Sequence, residues 1–237
     1  MLGGMAALRP GPATNGLSAR RNGLSADVIV QAALRIAANN TGERLTLSRL
    51  GQELDADPTV IYRYFRDRDE LLLTVADRML GEMLESLPVA GDWRHRLSEL
   101  LRATVETFQR YPAIGAEVGA RTTRQANEFR AADTLIGLLR EAGLSGSELV
   151  ATYRTVADLI LSFAGTQATY LMLDPAIREA DELSWSREYR AADPKAFPEL
   201  AAAGPALAEV DEAEISGRII EMIIAGVEAA IGKAGPS

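Results

Sequence analysis

The chain has 237 residues, 47% of them hydrophobic and 24% charged, which suits one large or two small globular domains. It has no cysteine, which excludes a disulfide framework and a thiolate metal site and fits a reducing cytoplasm. The net charge of −8 argues against a nucleic-acid partner until it is divided along the chain: residues 1–80 carry +1 and the remainder −9, so the acidity lies outside the N-terminal third.

In chain order, residues 1–23 hold Gly, Pro, Asn and Ala without an apolar period and are expected to form a disordered arm. No charged region followed by an apolar stretch marks a signal peptide there. Arg20 and Arg21, just before the first helix, are candidate contacts to an adjacent minor groove or to phosphates. Ser25 is placed to cap a first helix with the stripe Ile29, Ala32, Ala33 and Ile36, and Gly42 ends the loop after it.

Thr46 is the N-cap of the next helix, in which Leu47, Leu50 and Leu54 share one face. Asp55 and Ala56 break that pattern, and Asp57 caps another helix with Pro58 at its first position, where a missing N–H is not needed. Ile61 and Phe65 point inward, leaving Pro58, Thr59, Tyr62, Arg63 and Tyr64 on the other side. Two short helices joined by a tight turn make a helix-turn-helix, whose second helix enters the major groove. Thr and Tyr hydroxyls and Arg reach phosphates, and Arg63 can bond the O6 and N7 edge of a guanine. Asp67, with Glu70 at the capping-box position, opens a further helix, and Arg68 in its first turn can hold a phosphate together with free backbone N–H groups.

The string T-L-S-R-L-G-Q-E-L-D-A-D-P-T-V-I-Y-R-Y-F-R-D-R-D-E-L-L resembles the DNA-binding domain of tetracycline-repressor (TetR) family regulators. The resemblance runs from about Leu24 to Val75 and is most specific at Ile61-Tyr62-Arg63-Tyr64-Phe65. It implies that Thr46 and Ser48 approach the DNA backbone, that Pro58, Thr59, Tyr62 and Arg63 face bases or phosphates, and that Tyr64 and Arg68 clamp flanking phosphates. Four residues depart from the family pattern. Gly51 stands for the usual Ala and Ala56 for the usual Val, which predicts looser packing of the supporting helix and turn. Thr59 and Arg68 also differ, and bear on which operator is read.

The helix from Arg68 carries Leu71, Leu72, Val75, Met79 and Met83 and is expected to run to about Leu87. In the resembled family it links the reading head to the body. Pro88 and Gly91 mark the boundary, giving a helix-turn-helix domain at residues 24–70 and a body at 88–237.

In the body, Asp92 caps a helix bearing Trp93, Leu97, Leu100, Leu101, Thr104 and Phe108, stopped at Tyr111-Pro112. A short segment, Ala113 to Ala120, follows, and then a helix from about Gln125 to Glu141 ended by Gly143. Ser145 and Glu148 are expected to form a capping box for the longest body helix, reaching Asp174-Pro175. Its uncharged run, Leu159 to Leu173, is shorter than the ~20 residues of a membrane span, so no membrane partner is expected. Pro194, Pro198 and Pro205 predict a loop over Leu183 to Gly204 with at most a short helix. Asp211 and Glu214 open the last helix, to about Ile231. No period-two pattern persists, so the fold class is all-α: an N-terminal three-helix helix-turn-helix domain and a C-terminal helical ligand-binding and dimerisation domain.

Two helices are apolar on more than one side. The last shows Ile215, Ile219, Met222, Ile223 and Gly226 on one face and Ile220, Ile224, Val227 and Ile231 on another. The long helix shows the small residues Ala157, Ala164, Gly165 and Ala168. A helix apolar on two sides must be covered on two sides, and a two-fold homodimer supplies the second cover. The family resemblance implies the same, a four-helix bundle made by the last two long helices of each subunit. Heads reading half-sites about one turn (~34 Å) or more apart require such a dimer.

A regulator of this kind takes a small-molecule effector in its body. Candidate lining residues are Trp93, Phe108, Phe129, Tyr153, Phe163, Gln167, Tyr170 and Trp185. His95, beside Arg94 and Arg96, is a solvated surface position. The nucleotide-binding, zinc-protease and nucleophile-elbow motifs are missing from the sequence, so neither enzyme, cofactor nor metal is expected. The expected function is a cytoplasmic DNA-binding regulator, a repressor in most of the resembled family, that binds a palindromic operator as a homodimer and is released by its effector. Two alternatives stay open: a ligand-binding or enzymatic body with a degenerate head, and a helix pair that binds protein instead of DNA.

Overall fold

The computed structural model describes residues 23–39 and 43–234, and among them there is no strand. Arg20, Arg21, Gly42 and the rest of the N-terminal arm lie outside the described residues. Among the described residues ten α-helices follow one another: α1 (Ala26–Asn39), α2 (Leu47–Leu54), α3 (Arg68–Glu85), α4 (Trp93–Arg110), α5 (Pro112–Val118), α6 (Ala126–Glu141), α7 (Gly146–Leu171), α8 (Pro175–Ser184), α9 (Pro198–Leu207) and α10 (Glu212–Ala234). A six-residue 3-10 helix, Pro58–Arg63, sits between α2 and α3, and one π turn, Trp185–Tyr189, follows α8.

Local side-chain caps set most of the starts. The Ser25 hydroxyl accepts from the Val28 N–H at 3.2 Å, Thr46 from Arg49 at 3.3 Å and Asp92 from His95 at 2.9 Å. Each satisfies a donor that the first turn leaves without an intrahelical partner. Ser145 precedes α7 but makes no side-chain cap bond, so the expected capping box is not formed. The α7 helix also ends at Leu171, short of Asp174-Pro175.

The stretch expected as a loop over Leu183 to Gly204 is largely helical. Pro175 and Pro198 each lie in the first turn of a helix, where a proline N–H is not required, so these prolines start helices and do not merely stop them.

The buried residues form one continuous core. In the N-terminal part Ile29, Ala33, Leu50, Ile61 and Phe65 join Leu71, Leu72 and Val75 of α3. The same helix buries Met79 and Met83 on Leu97, Leu101 and Leu138 of the body. Full burial of each such side chain contributes roughly 1.5–3 kcal/mol, so α3 is held from both ends. Beyond it, α5 lies against α7 with small residues at the crossing. A Cβ added at Gly119 would meet Gly165 Cα at 2.9 Å, and one at Gly115 would meet Ala168 Cβ at 2.9 Å.

Candidate nucleic-acid interface and effector site

The reading turn is built by two aspartates. Asp55, in left-handed conformation (φ 48°), closes α2. Asp57 then accepts from the Thr59 N–H at 2.8 Å and from its hydroxyl at 2.6 Å. These bonds, the hydroxyl's first, hold the Asp57 carboxyl below its ordinary range. Bonds from Val60 N–H to Asp57 C=O at 2.9 Å and from Tyr64 N–H to Ile61 C=O at 3.0 Å span three residues, so the expected second helix is a 3-10 helix. A carboxylate gripping a donor only two residues on, and three β-branched residues in succession (Thr59, Val60, Ile61), both favour the tighter winding.

The same crossing corrects the expectation for Gly51. It is buried, and a Cβ there would lie 2.8 Å from both Ala56 O and Pro58 Cγ. The glycine is what lets the turn close on α2, so the departure from the family pattern tightens this junction.

On the outward side, Thr46 and Ser48 of α2 are exposed together with Thr59, Tyr62 and Arg63, while Pro58 is half-buried. Tyr62 is 52% exposed, against 2% for Ile61 beside it, so the short helix presents two distinct faces. Tyr64 and Arg68 are placed differently from the expectation. The Tyr64 hydroxyl donates to Leu24 C=O at 2.6 Å, tying the reading turn to the entry of α1. The Arg68 guanidinium forms a bidentate pair with Glu117 of α5, at 2.9 and 2.7 Å, and donates to Leu45 C=O at 3.0 Å. Its neighbour Asp69 is joined to Arg121, with one N···O distance of 2.8 Å. Arg68 therefore holds the head, α3 and α5 together, and Asp69 fixes α3 to the segment after α5.

Asp67 accepts from the Glu70 N–H at 2.8 Å, as a cap should, and that bond chiefly holds its carboxyl below the ordinary range. Glu70 turns back to the Arg66 N–H at 2.6 Å instead of to Asp67.

The body contains a half-open cavity of about 110 Å³ between α3, α4, α6 and α7. Leu100, Leu135 and Ile160 make much of its apolar wall, and Thr104, Glu128 and Tyr153 supply polar groups. Of the eight aromatic and polar residues expected to line a pocket, only Tyr153 borders this cavity. Phe108 is buried in the core, Phe129 is 63% exposed and Trp185 43% exposed. Trp93 is half-buried under the Arg94 guanidinium, 4.6 Å from its ring centre. Gln167 is half-buried without reaching the cavity, and the Tyr170 hydroxyl bonds Arg178 C=O and Glu182 at the start of the α8 region.

Sequence reading missed Asp77. It is buried on α3, and its carboxylate accepts from the N–H groups of Asn127 (3.1 Å) and Glu128 (2.9 Å) and from the Thr123 hydroxyl (3.1 Å). The Asn127 side-chain amide adds a fourth donor, at 3.0 Å. A side chain of α3 thus caps the N-terminus of α6, the place where a helix offers unpaired N–H groups and partial positive charge. Glu128, whose own N–H is one of these donors, borders the cavity; its carboxylate accepts from the Arg124 N–H and shares the single Thr123 hydroxyl proton with Asp77. The only hint in the sequence is an aspartate on the apolar side of a helix between Val75 and Met79.

On the outside of the body, α7 and α10 form an apolar groove of about 490 Å³. Ile219, Met222, Ile223 and Gly226, the residues expected at a dimer interface, line it and face Thr155, Leu159 and Phe163. Met222 is 74% exposed and Leu159 53% exposed. Ala157, Ala164 and Ala168 are not on this face. Ala157 borders the half-open cavity, and Ala164 and Ala168 are fully buried, Ala168 where α5 crosses α7. The small residues bring α5 close to α7 within one chain, and the groove is made by the opposite side of α7.

Over residues 86–231 the sequence matches the family model of the tetracyclin repressor-like, C-terminal domain. The chain belongs to the tetracycline-repressor family. Among its relatives are an HTH-type transcriptional repressor of Mycobacterium tuberculosis, 31% identical over 147 residues (58% of this chain, 55% of the relative), and the class A tetracycline repressor protein from transposon 1721 of Escherichia coli, 29% identical over 136 residues (56% and 62%). The chain spans about half the length of the first of these. The crystal structure of apo ActR from Streptomyces coelicolor shares the fold, with a TM-score of 0.74 at 24% identity over 90% of this chain and 98% of that one. No single described helix is long and apolar enough to cross a membrane.

Proposed function

We propose that the protein is a cytoplasmic transcriptional repressor that binds a palindromic DNA operator as a homodimer and is released by a small-molecule effector. The observation that carries it is the capped reading turn, with Thr59, Tyr62 and Arg63 exposed beside Thr46 and Ser48 on a head that is near-neutral while the body is acidic. Arg63 is the candidate for base contact and the hydroxyls are candidates for phosphate contact. Tyr64 and Arg68 serve instead to fix the head.

The α7–α10 groove supports the homodimer, because an apolar face with Met222 largely exposed fits pairing with its own copy about a two-fold axis. The half-open cavity is the proposed effector site. Its wall includes Leu80 and Met83 of α3, the helix that also carries the Arg68 pair to α5 and the Asp69 pair to the segment just after it. A ligand that shifts α6 or α7 therefore acts on the helix that sets the spacing of two heads.

The test is binding to duplex DNA from immediately upstream of the protein's own gene, titrated with salt against an unrelated duplex. The expected result is specific binding with a steep negative salt slope. Arg63→Ala should weaken it by about ten-fold or more, given roughly 1–3 kcal/mol for a bidentate base contact. Equal weak binding to both duplexes, unchanged by Arg63→Ala, would refute the operator reading and favour a head that does not read DNA.

A further inference from the structure

Given that the cavity between α3, α4, α6 and α7 is the effector site, we infer that it accepts a small aryl-alkyl primary amine, held as an ammonium ion between Glu128 and Tyr153. Glu128 is the one carboxylate on the wall, and no Lys, Arg or His borders the cavity. An anionic ligand would meet a like charge on a largely apolar wall. A cation would find its counter-charge there.

Both polar groups have capacity to spare. The Thr123 hydroxyl and the Arg124 N–H bond Glu128 at the same oxygen, Oε2, which leaves Oε1 as an acceptor. The Tyr153 hydroxyl has no hydrogen-bond partner among the described residues, and its ring offers the electron-rich face that attracts ammonium groups. The other walls, such as Leu100, Leu135 and Ile160, demand an apolar body. Size limits that body: an apolar cavity of roughly 150 Å³ takes one benzene ring, and this one is about 110 Å³. The cavity is half-open, so one ring can seat partly within it while a short amine-bearing arm reaches Glu128.

The site also connects to the head helix. An ammonium on Oε1 draws negative charge away from Oε2 and so loosens its bonds to Thr123 and Arg124, and Arg124 sits at φ 60°, a conformation that needs such support. Thr123 is in turn bonded to Asp77 of α3. Occupation of the cavity is thereby felt at α3 through two hydrogen bonds.

The experiment titrates the full chain by calorimetry with three matched probes: 2-phenylethylamine, 2-phenylethanol and 3-phenylpropionate. The amine is expected to bind at least about ten-fold more tightly than the alcohol, and the carboxylate most weakly, as a charge-assisted hydrogen bond implies. Glu128→Gln keeps one carbonyl acceptor for Arg124 and should bring amine and alcohol to near-equal affinity. Tyr153→Phe, which leaves the Glu128 bonds untouched, should weaken the amine more than the alcohol. Alcohol binding as tight as amine binding, or an amine preference that survives Glu128→Gln, overturns the amine class while leaving the cavity as a binding site. If none of the three binds to protein that still binds its operator, the effector-site reading falls and the amine class with it.

Discussion

Replacing Asp77 with Ala is the most informative single change in the body. The carboxylate takes up two backbone N–H groups, a side-chain amide and the Thr123 hydroxyl at a site where Asp77 is 6% exposed. Loss of a helix N-cap costs about 1 kcal/mol, and each buried donor left unpaired adds about 1–3 kcal/mol. Water admitted to the vacated space, and relief from burying a charge, offset part of this. The net expectation is a destabilisation of about 2–4 kcal/mol, a large fraction of the 5–15 kcal/mol typical of whole proteins. Urea unfolding at matched protein concentration measures it, with a midpoint lowered by roughly 1 M or more. Amide exchange at Asn127 and Glu128 should also accelerate selectively, whereas Asn in place of Asp, which keeps one acceptor, should lose less. A change below about 0.5 kcal/mol, the usual range for surface positions, with unaltered exchange at those two amides, would refute the assignment of Asp77 as the cap of α6.

Gly51→Ala should destabilise by about 1 kcal/mol in thermal or urea unfolding, because overpacking of roughly 1–3 kcal/mol outweighs a helix-propensity gain of about 1 kcal/mol. Pro58→Ala in the same chain should recover part of the loss, since Pro58 Cγ is one of the two atoms met at 2.8 Å. Glu117→Ala should lower stability by less than about 1 kcal/mol, as the Arg68 side chain is 41% exposed and such pairs are weak. With Arg68 freed toward phosphate, salt-titrated DNA binding should steepen by about one unit of slope per head. Met222→Glu should convert a dimer to monomer in sedimentation, raising its dissociation constant by about 100-fold or more, since a two-fold axis through the groove would bury two uncompensated charges.

Which features were legible in the sequence follows from the range of the interactions behind them. Thr46, Asp57, Asp67 and Asp92 act on N–H groups two or three residues away, so their caps could be read from spacing alone. The inward set Leu50, Ile61 and Phe65 followed from the same local periodicity. Small residues were ambiguous, because Ala164 and Ala168 suit a close crossing within the chain as well as one between chains, and periodicity does not name the neighbour. Prolines misled over Leu183 to Gly204, since Pro198 begins a helix and Pro205 lies within it. The Arg68–Glu117 pair was not legible for a different reason: Glu117 is 49 positions away, and nothing in the first turn of α3 announces it.

The long-range bonds that spacing could not reveal converge on α3. Its first turn is tied to α5 through Arg68–Glu117 and to the segment just after α5 through Asp69–Arg121, and its middle caps α6 through Asp77. Near its C-terminal end, Glu82 accepts from the Tyr111 hydroxyl at the start of α5, and burial, with Glu82 second, pushes that phenol's pKa up. The helix that supports the reading turn therefore has no independent position: moving α5 or α6 moves it, and moving it turns the head. Coupling of this kind requires two arrangements that ligand and DNA weight differently. The exchangeable parts are the partly exposed Arg68–Glu117 and Asp69–Arg121 pairs, whereas the buried Asp77 network has nowhere else to place its donors. Effector action should accordingly rearrange these two pairs while the α3–α6 cap moves as a unit.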